Sequence, residues 1–193
     1  MSNIFTKNGY SNTYGELTRD GLTQLFKNIS VKDKVFYDLG SGKGQVVINA
    51  VKMYPTLKKI VGIELDTDRH NEAVDLLKRS EIENLGDKCI LLNDDILDSK
   101  VHYSDADIIY ISNLCFSEKV NKKLAKKLCN ELRVGSMVFA SRPIKHRLLE
   151  LCDKLTVEQS WFDSSNINVY KVKSNKRATR RQPLKRKSKT RKE

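Results

Sequence analysis

The sequence predicts an α/β protein built on a doubly wound, mostly parallel sheet, and two observations carry that prediction. Val35 to Leu39 is a short β-rich run holding Asp38, followed by a turn with glycine at 40, 42 and 44 and a helical pattern of Val46, Val47, Ala50, Val51 and Tyr54. Strand, glycine turn and helix in that order make the opening βα unit of such a sheet. Two further strands then end in acids: Ile60 to Glu64, and Cys89 to Asn93 running into Asp94-Asp95-Ile96. Ligands of open α/β sheets sit at strand carboxyl ends. A lone acid there is usually just solvated, but three strand ends in succession mark a candidate site.

The turn separates three ligand classes. A Walker A loop needs glycine at position 37 and Ser or Thr at 44, where this chain has Tyr37 and Gly44. A dinucleotide fingerprint reads Gly-x-Gly-x-x-Gly, whereas Gly40-Ser41-Gly42-Lys43-Gly44 is Gly-x-Gly-x-Gly. An acid just ahead of the first glycine, as Asp38 is, matches the S-adenosylmethionine sites of class I methyltransferases, in which a carboxylate faces the cofactor's amino-acid end. The expected fold is therefore the class I, Rossmann-like methyltransferase fold: a mostly parallel seven-stranded sheet with a C-terminal antiparallel hairpin. In it Gly40 and Gly42 let the backbone approach the cofactor, Glu64 grips the ribose diol, and Asp95 accepts from the adenine amino group. The competing reading is an ordinary tight turn in another α/β protein.

The other elements follow from periodicity. Leu22, Leu25, Phe26 and Ile29 form one face of a helix after Glu16, and Asp66 to Glu83 reads as a helix with Ala73, Leu76 and Leu77 inward. Asp107 to Ser112 is a fourth strand that delivers Asn113 to its end. An asparagine there can orient an amine or a methyl donor by hydrogen bonds without adding charge, or simply cap a turn. Ser117 to Leu132 is an amphipathic helix with Val120, Leu124, Leu128 and Leu132 inward and lysines outward, and Met137 to Ser141 is a strand. A helix is expected around Leu148, Leu149 and Leu151. Two closing strands, Lys154 to Trp161 and Ile167 to Val172, flank a polar turn at Asp163-Ser164-Ser165-Asn166.

Charge divides the chain. Of a net +12, Lys171 to Glu193 carry +11, with twelve Lys or Arg, one Glu and no aromatic residue. Such a segment cannot bury a core and is expected to be disordered when free. The organisation reads as a flexible N-terminus at 1–13, a catalytic domain at 14–173 and a basic tail at 174–193. The tail's candidate nucleic-acid-binding residues are Lys176, Arg177, Arg180, Arg181, Lys185, Arg186, Lys187, Lys189, Arg191 and Lys192, binding DNA phosphates or serving nuclear import. Four scattered cysteines and three histidines lack ligand spacing, so no metal is expected. With no signal peptide and no apolar run of membrane-spanning length, the reading is an intracellular protein without a membrane role.

Several motifs together resemble the Dot-one (disruptor of telomeric silencing) family of histone lysine methyltransferases, which lack a SET domain. They are Tyr14-Gly15-Glu16, Asp38-Leu39-Gly40-Ser41-Gly42 continued by Gly44-Gln45-Val46-Val47, Gly62-Ile63-Glu64, Asn113 within Ser-Asn-Leu-Cys-Phe, and Ser141-Arg142-Pro143. The resemblance covers roughly residues 10 to 172 and ends at the tail. It implies methylation of a lysine on the globular disc face of histone H three within a nucleosome, in the nucleus, by a monomer using S-adenosylmethionine and releasing S-adenosylhomocysteine. It further implies that Tyr14 and Glu16 close over the cofactor, that Gln45 lies against it, and that Asn113 stands at both cofactor and transfer site. Tyr170 and Trp161 would wall the lysine channel, although the family has two adjacent tyrosines where this chain has Val169-Tyr170. Ile96 stands where the family has an aromatic, making the adenine contact aliphatic. Relatives also touch the acidic face of the histone octamer, a second destination for a tail arginine. Two alternatives stay open: a DNA or RNA methyltransferase of the same fold, although Ser112-Asn113-Leu114-Cys115 lacks the Asn/Asp-Pro-Pro-aromatic motif of amino-methylating enzymes, and a non-catalytic nucleosome or DNA binder.

Overall fold

The computed structural model describes residues 16–82, Leu85, 88–160 and 162–174, with the side chains of 162–164 left aside. The expectations for Tyr14, Trp161 and the tail residues Lys176 to Lys192 lie outside the described residues.

A seven-stranded sheet organises the chain in the order β3-β2-β1-β4-β5-β7-β6. Its strands are β1 (Val35–Leu39), β2 (Lys59–Glu64), β3 (Cys89–Asn93), β4 (Ile108–Ile111), β5 (Met137–Ala140), β6 (Leu149–Gln159) and β7 (Phe162–Val172). The first five run parallel, and β7 enters antiparallel between β5 and β6. The helices are α1 (Arg19–Phe26), α2 (Gln45–Met53), α3 (Thr67–Arg79) and α4 (Glu118–Glu131), with a 3-10 turn at Asn113–Cys115. Side-chain oxygens start three of them: Thr18 accepts from Gly21 N, Asp66 from Arg69 N and Ser117 from Val120 N.

The central strands read as unbroken apolar runs because both faces are covered. Tyr37, Leu39, Ile109, Ile111, Val138 and Ala140 pack with α4 on one face. Phe36, Ile60, Ile108, Tyr110 and Phe139 pack with α1 and α2 on the other. The reversal of strand order lies between β1 and β4, so their carboxyl ends frame the crevice where such folds bind ligands.

Three expectations about elements are corrected. The helix expected around Leu148, Leu149 and Leu151 is the start of β6. Leu149 and Leu151 stand two apart, the period of a strand, and pair with Val172 and Tyr170. The hairpin turns between Gln159 and Phe162 rather than at 163–166, because Ser165 and Asn166 continue the ladder opposite Val157 and Thr156. The third correction is that α3 ends at Arg79, short of Glu83, with Ser80 as its cap and Glu81 at a left-handed φ of 52°.

Candidate functional site

The site begins with the glycine turn. Gly40, Gly42 and Gly44 all have positive φ (82°, 54° and 79°), a region L side chains rarely adopt. At Gly44, which starts α2, a Cβ would also lie 2.8 Å from the Ala73 Cβ, so the turn could not pack on α3 with a larger residue. Gly40 N and Ser41 N both donate to the Ile63 carbonyl, at 2.8 and 2.9 Å, wrapping the turn over the end of β2.

Carboxylates gather at this turn. Glu64 is 5% exposed; its Oε2 accepts from Gly42 N and its Oε1 from Asp66 N, each at 2.8 Å. Glu16 Oε1 accepts from Gln45 N at 3.3 Å, at the amino end of α2, where the helix dipole favours negative charge. Asp38 is buried near the end of β1. Burial first, then the negative charges of Glu16 and Glu64, hold its carboxyl well above the usual carboxylate range. Three carboxylates facing one crevice are relieved by a cation. A ligand carrying an ammonium and a sulfonium, as S-adenosylmethionine does, fits this donor set, and Glu64 keeps lone pairs for a diol.

The remaining expected residues divide. The side chain of Gln45 donates to Asn49 Oδ1 at 3.1 Å, leaving its backbone N–H toward Glu16. Asp95, after β3, accepts from Leu97 N at 2.8 Å. Ile96 is buried in the core, and its carbonyl accepts from the Tyr103 hydroxyl at 2.8 Å. Asn113 is at the end of β4, fully buried, with its amide spent on the protein. Its Nδ2 donates to Asn121 Oδ1 at 2.7 Å and to the Arg142 carbonyl at 3.2 Å, and its Oδ1 accepts from Arg142 N at 2.7 Å. Tyr170 sits opposite Val138, two residues behind the carboxyl end of β5, and its hydroxyl accepts from Ile144 N at 3.2 Å.

Sequence reasoning missed other participants. Phe116 approaches Gly40, its Cζ 3.7 Å from where a Cβ would stand; it closes the Ser-Asn-Leu-Cys-Phe run, which was the available signal. Asn168, 6% exposed and opposite Ala140, donates to the carbonyls of Ala140 at 3.1 Å and Ser141 at 3.4 Å. Behind them lies a polar cluster in which only Ser112 and Ser141 belong to motifs the sequence offered. The buried Tyr110 hydroxyl is ringed by Ser112, Ser141 and Gln159, and burial followed by the charge of Asp38 raises its pKa. Gln159 Nε2 donates to it at 3.3 Å. Ser141 Oγ and Gln159 Oε1 are buried and have no well-aligned hydrogen-bond partner among the described residues.

A parallel sheet reversed between β1 and β4, a glycine turn after β1 and acids at successive strand ends define a class I S-adenosylmethionine-dependent methyltransferase fold. Likeness to solved structures agrees: TrmN from Thermus thermophilus superposes with a TM-score of 0.63 at 16% identity, over 80% of this chain and 48% of that one. Residues 5–177 match the family described as histone methylation protein DOT1, and the chain belongs to that family. A histone-lysine N-methyltransferase of Drosophila melanogaster, H3 lysine-79 specific, is 30% identical over 148 residues, covering 71% of this chain. A protein-lysine N-methyltransferase of Saccharolobus islandicus is 29% identical over 109 residues, covering 56% of this chain. The matches span 8% of the fly protein and 62% of the archaeal one.

Proposed function

We propose that the chain transfers methyl groups from S-adenosylmethionine to a lysine on the globular disc face of histone H3 within the nucleosome. The observation that carries the reading is the convergence of Asp38, Glu16 and Glu64 on the glycine turn, in a chain of the DOT1 family. When bound, the cofactor supplies an electrophilic methyl on a positively charged sulfur. Asp38 and Glu16 pair with its amino group, Glu64 with the ribose diol and Asp95 with the adenine. Phe116, packed beside Gly40, covers the turn.

A lysine with a pKa near 10.4 must lose a proton before it can act as a nucleophile, which costs about 4–5 kcal/mol at neutral pH. A desolvated approach beside a positive sulfur lowers that cost without a dedicated base. Among the described residues, no histidine stands at the end of a parallel strand to serve as one. Rate then comes from positioning. Asn113 acts there as a positioning residue, locking Arg142 against the end of β4, and Tyr170 supports the exit of β5 through Ile144.

The basic tail holds the enzyme on nucleosomes through DNA phosphates, in the nucleus of the cell in which it acts. Labelled methyl transfer to nucleosomes, free histones, DNA and RNA side by side tests the proposal. Label on histone in nucleosomes supports it, whereas label in DNA or RNA, or none anywhere, overturns it.

A further inference from the structure

Resting on the nucleosome reading above, we infer that the folded domain carries its own dock for the DNA backbone, a basic track that runs from α4 to the root of the tail. Its first part is a groove of about 570 Å³ between α4 and the segment after β5, lined by Lys122, Lys126, Lys145 and Arg147 and by no acid. A second groove, of about 600 Å³, shares Arg147 and Leu148 with the first and adds Lys171 and Lys173. Against these six exposed cations the two linings hold one acid, Glu150.

The protein does not neutralise this charge itself. Among the described residues, none of the six cations takes part in an ion pair. Lys127, on the same helix, shows the contrast: its Nζ donates to Glu131 Oε1 at 2.8 Å and to the Val101 carbonyl. Lys119 and Lys123, like Lys122 and Lys126, are like charges one turn apart, which disfavours a helix. A polyanion lying along that face relieves both repulsions.

The track is also fixed in place. His146 holds the turn that carries Lys145 and Arg147, its Nδ1 accepting from Leu148 N at 3.3 Å and its carbonyl from Leu149 N at 3.0 Å. Lys173 N donates to the Leu148 carbonyl at 2.8 Å, which ties the root of the basic segment to the same turn. At its other end, α4 starts directly after the Asn113–Cys115 turn beside the crevice. Cations spread over two adjoining grooves suit a ligand whose charge repeats along its length, and duplex DNA carries one negative charge per about 1.7 Å of axis. No Phe, Tyr or Trp lines either groove, so bases find nothing to stack on and the contact is to phosphates. Phosphate contacts made from a fixed surface set register and orientation. DNA on this face therefore determines where the crevice points.

The test uses the full chain, a short labelled DNA duplex and nucleosomes, with binding read by fluorescence anisotropy across a salt series. Lys122→Gln/Lys126→Gln/Arg147→Gln should weaken duplex binding at least about tenfold and flatten the log–log salt slope by about 2.7, for three contacts at about 0.9 each. Lys145→Gln/Arg147→Gln, which leaves α4 untouched, should flatten it by about 1.8. The control Lys27→Gln/Lys32→Gln/Lys52→Gln removes the same charge on or beside α1 and α2, which cover the other face of the sheet, and should change binding far less. Melting temperature and cofactor affinity should stay at the wild-type values in all three. An equal loss in the control means that net charge alone acts and overturns the dock, as does unchanged duplex binding in the first two variants. Weaker nucleosome binding with unchanged duplex binding also overturns it, assigning the face to an acidic protein surface. A wild type whose duplex binding responds as expected yet methylates no histone overturns the histone reading and leaves the dock standing.

Discussion

Glu64 accepts the Gly42 backbone N–H at 2.8 Å, so the acid that ends β2 and the turn that follows β1 form one unit. The same carboxylate holds Asp66 N, and Asp66 in turn caps α3. The group proposed to grip the ribose is thus also a fastener of the site that surrounds it.

Glu64→Ala is therefore expected to act twice. Binding of S-adenosylmethionine should weaken by about tenfold, roughly 1.4 kcal/mol. Unfolding free energy should fall by about 1–3 kcal/mol as buried N–H groups lose their acceptor. Calorimetry gives the first and chemical denaturation the second; unchanged affinity would remove Glu64 from the cofactor site.

Asp38 makes a prediction about pH. Its carboxyl is raised, by burial first and then by Glu16 and Glu64. A raised folded value means that its stabilising contribution is complete below the unfolded carboxyl range and is lost as pH rises through the folded value. Binding a cation favours the carboxylate, so cofactor binding should release a proton below and around that value. Titration calorimetry in buffers of different ionisation enthalpy reads this directly. Asp38→Asn should be more stable than wild type at pH 8 yet bind the cofactor about tenfold more weakly, with the proton release gone.

Asn113→Ala should lower kcat strongly while leaving cofactor affinity within about threefold, because its amide reaches the site through Arg142. Asn121→Ala, which removes the outer partner of Asn113 together with the bonds Asn121 gives the Phe116 and Ser117 carbonyls, should reproduce part of the loss. Single-turnover rates within about twofold of wild type for both variants would make the pair purely structural.

How much of this was legible in the sequence follows from the range of each interaction. The glycine turn and Asp38 are local: a strand end, a tight turn and a helix start fall within one stretch of chain, and Glu64 is named by its own strand end, Gly62-Ile63-Glu64. Leu149 and Leu151 misled because two leucines in a short apolar run fit a helix or a strand, and only pairing with β7 decides between them. The polar run 163–166 looked like a turn because its composition is that of one, yet a long two-stranded ladder can carry polar residues on its solvated reach. Ser141 was singled out within Ser141-Arg142-Pro143, but its grouping with Tyr110 and Gln159 was invisible: they come from three separate stretches of chain, and only the sheet brings them together.

The tail prediction rests on charge alone. Truncation after Asn175 should leave cofactor binding unchanged while weakening binding to nucleosomes and bare DNA together. The salt dependence should flatten too, by about 0.9 in log–log slope for each phosphate that the shortened chain no longer neutralises. If bare DNA is bound as tightly and as salt-dependently without the tail, its role is localisation. If nucleosome binding falls while DNA binding does not, the tail docks on the acidic face of the octamer.

The most direct test of the central claim is peptide mass spectrometry on nucleosomes incubated with the full chain and S-adenosylmethionine. Methylation should concentrate on one lysine in the folded disc of histone H3, fall about tenfold with Asp38→Asn at limiting cofactor, and be weak or absent on free histone. Methylation spread over the flexible histone tails, or found on the nucleic acid, would contradict it.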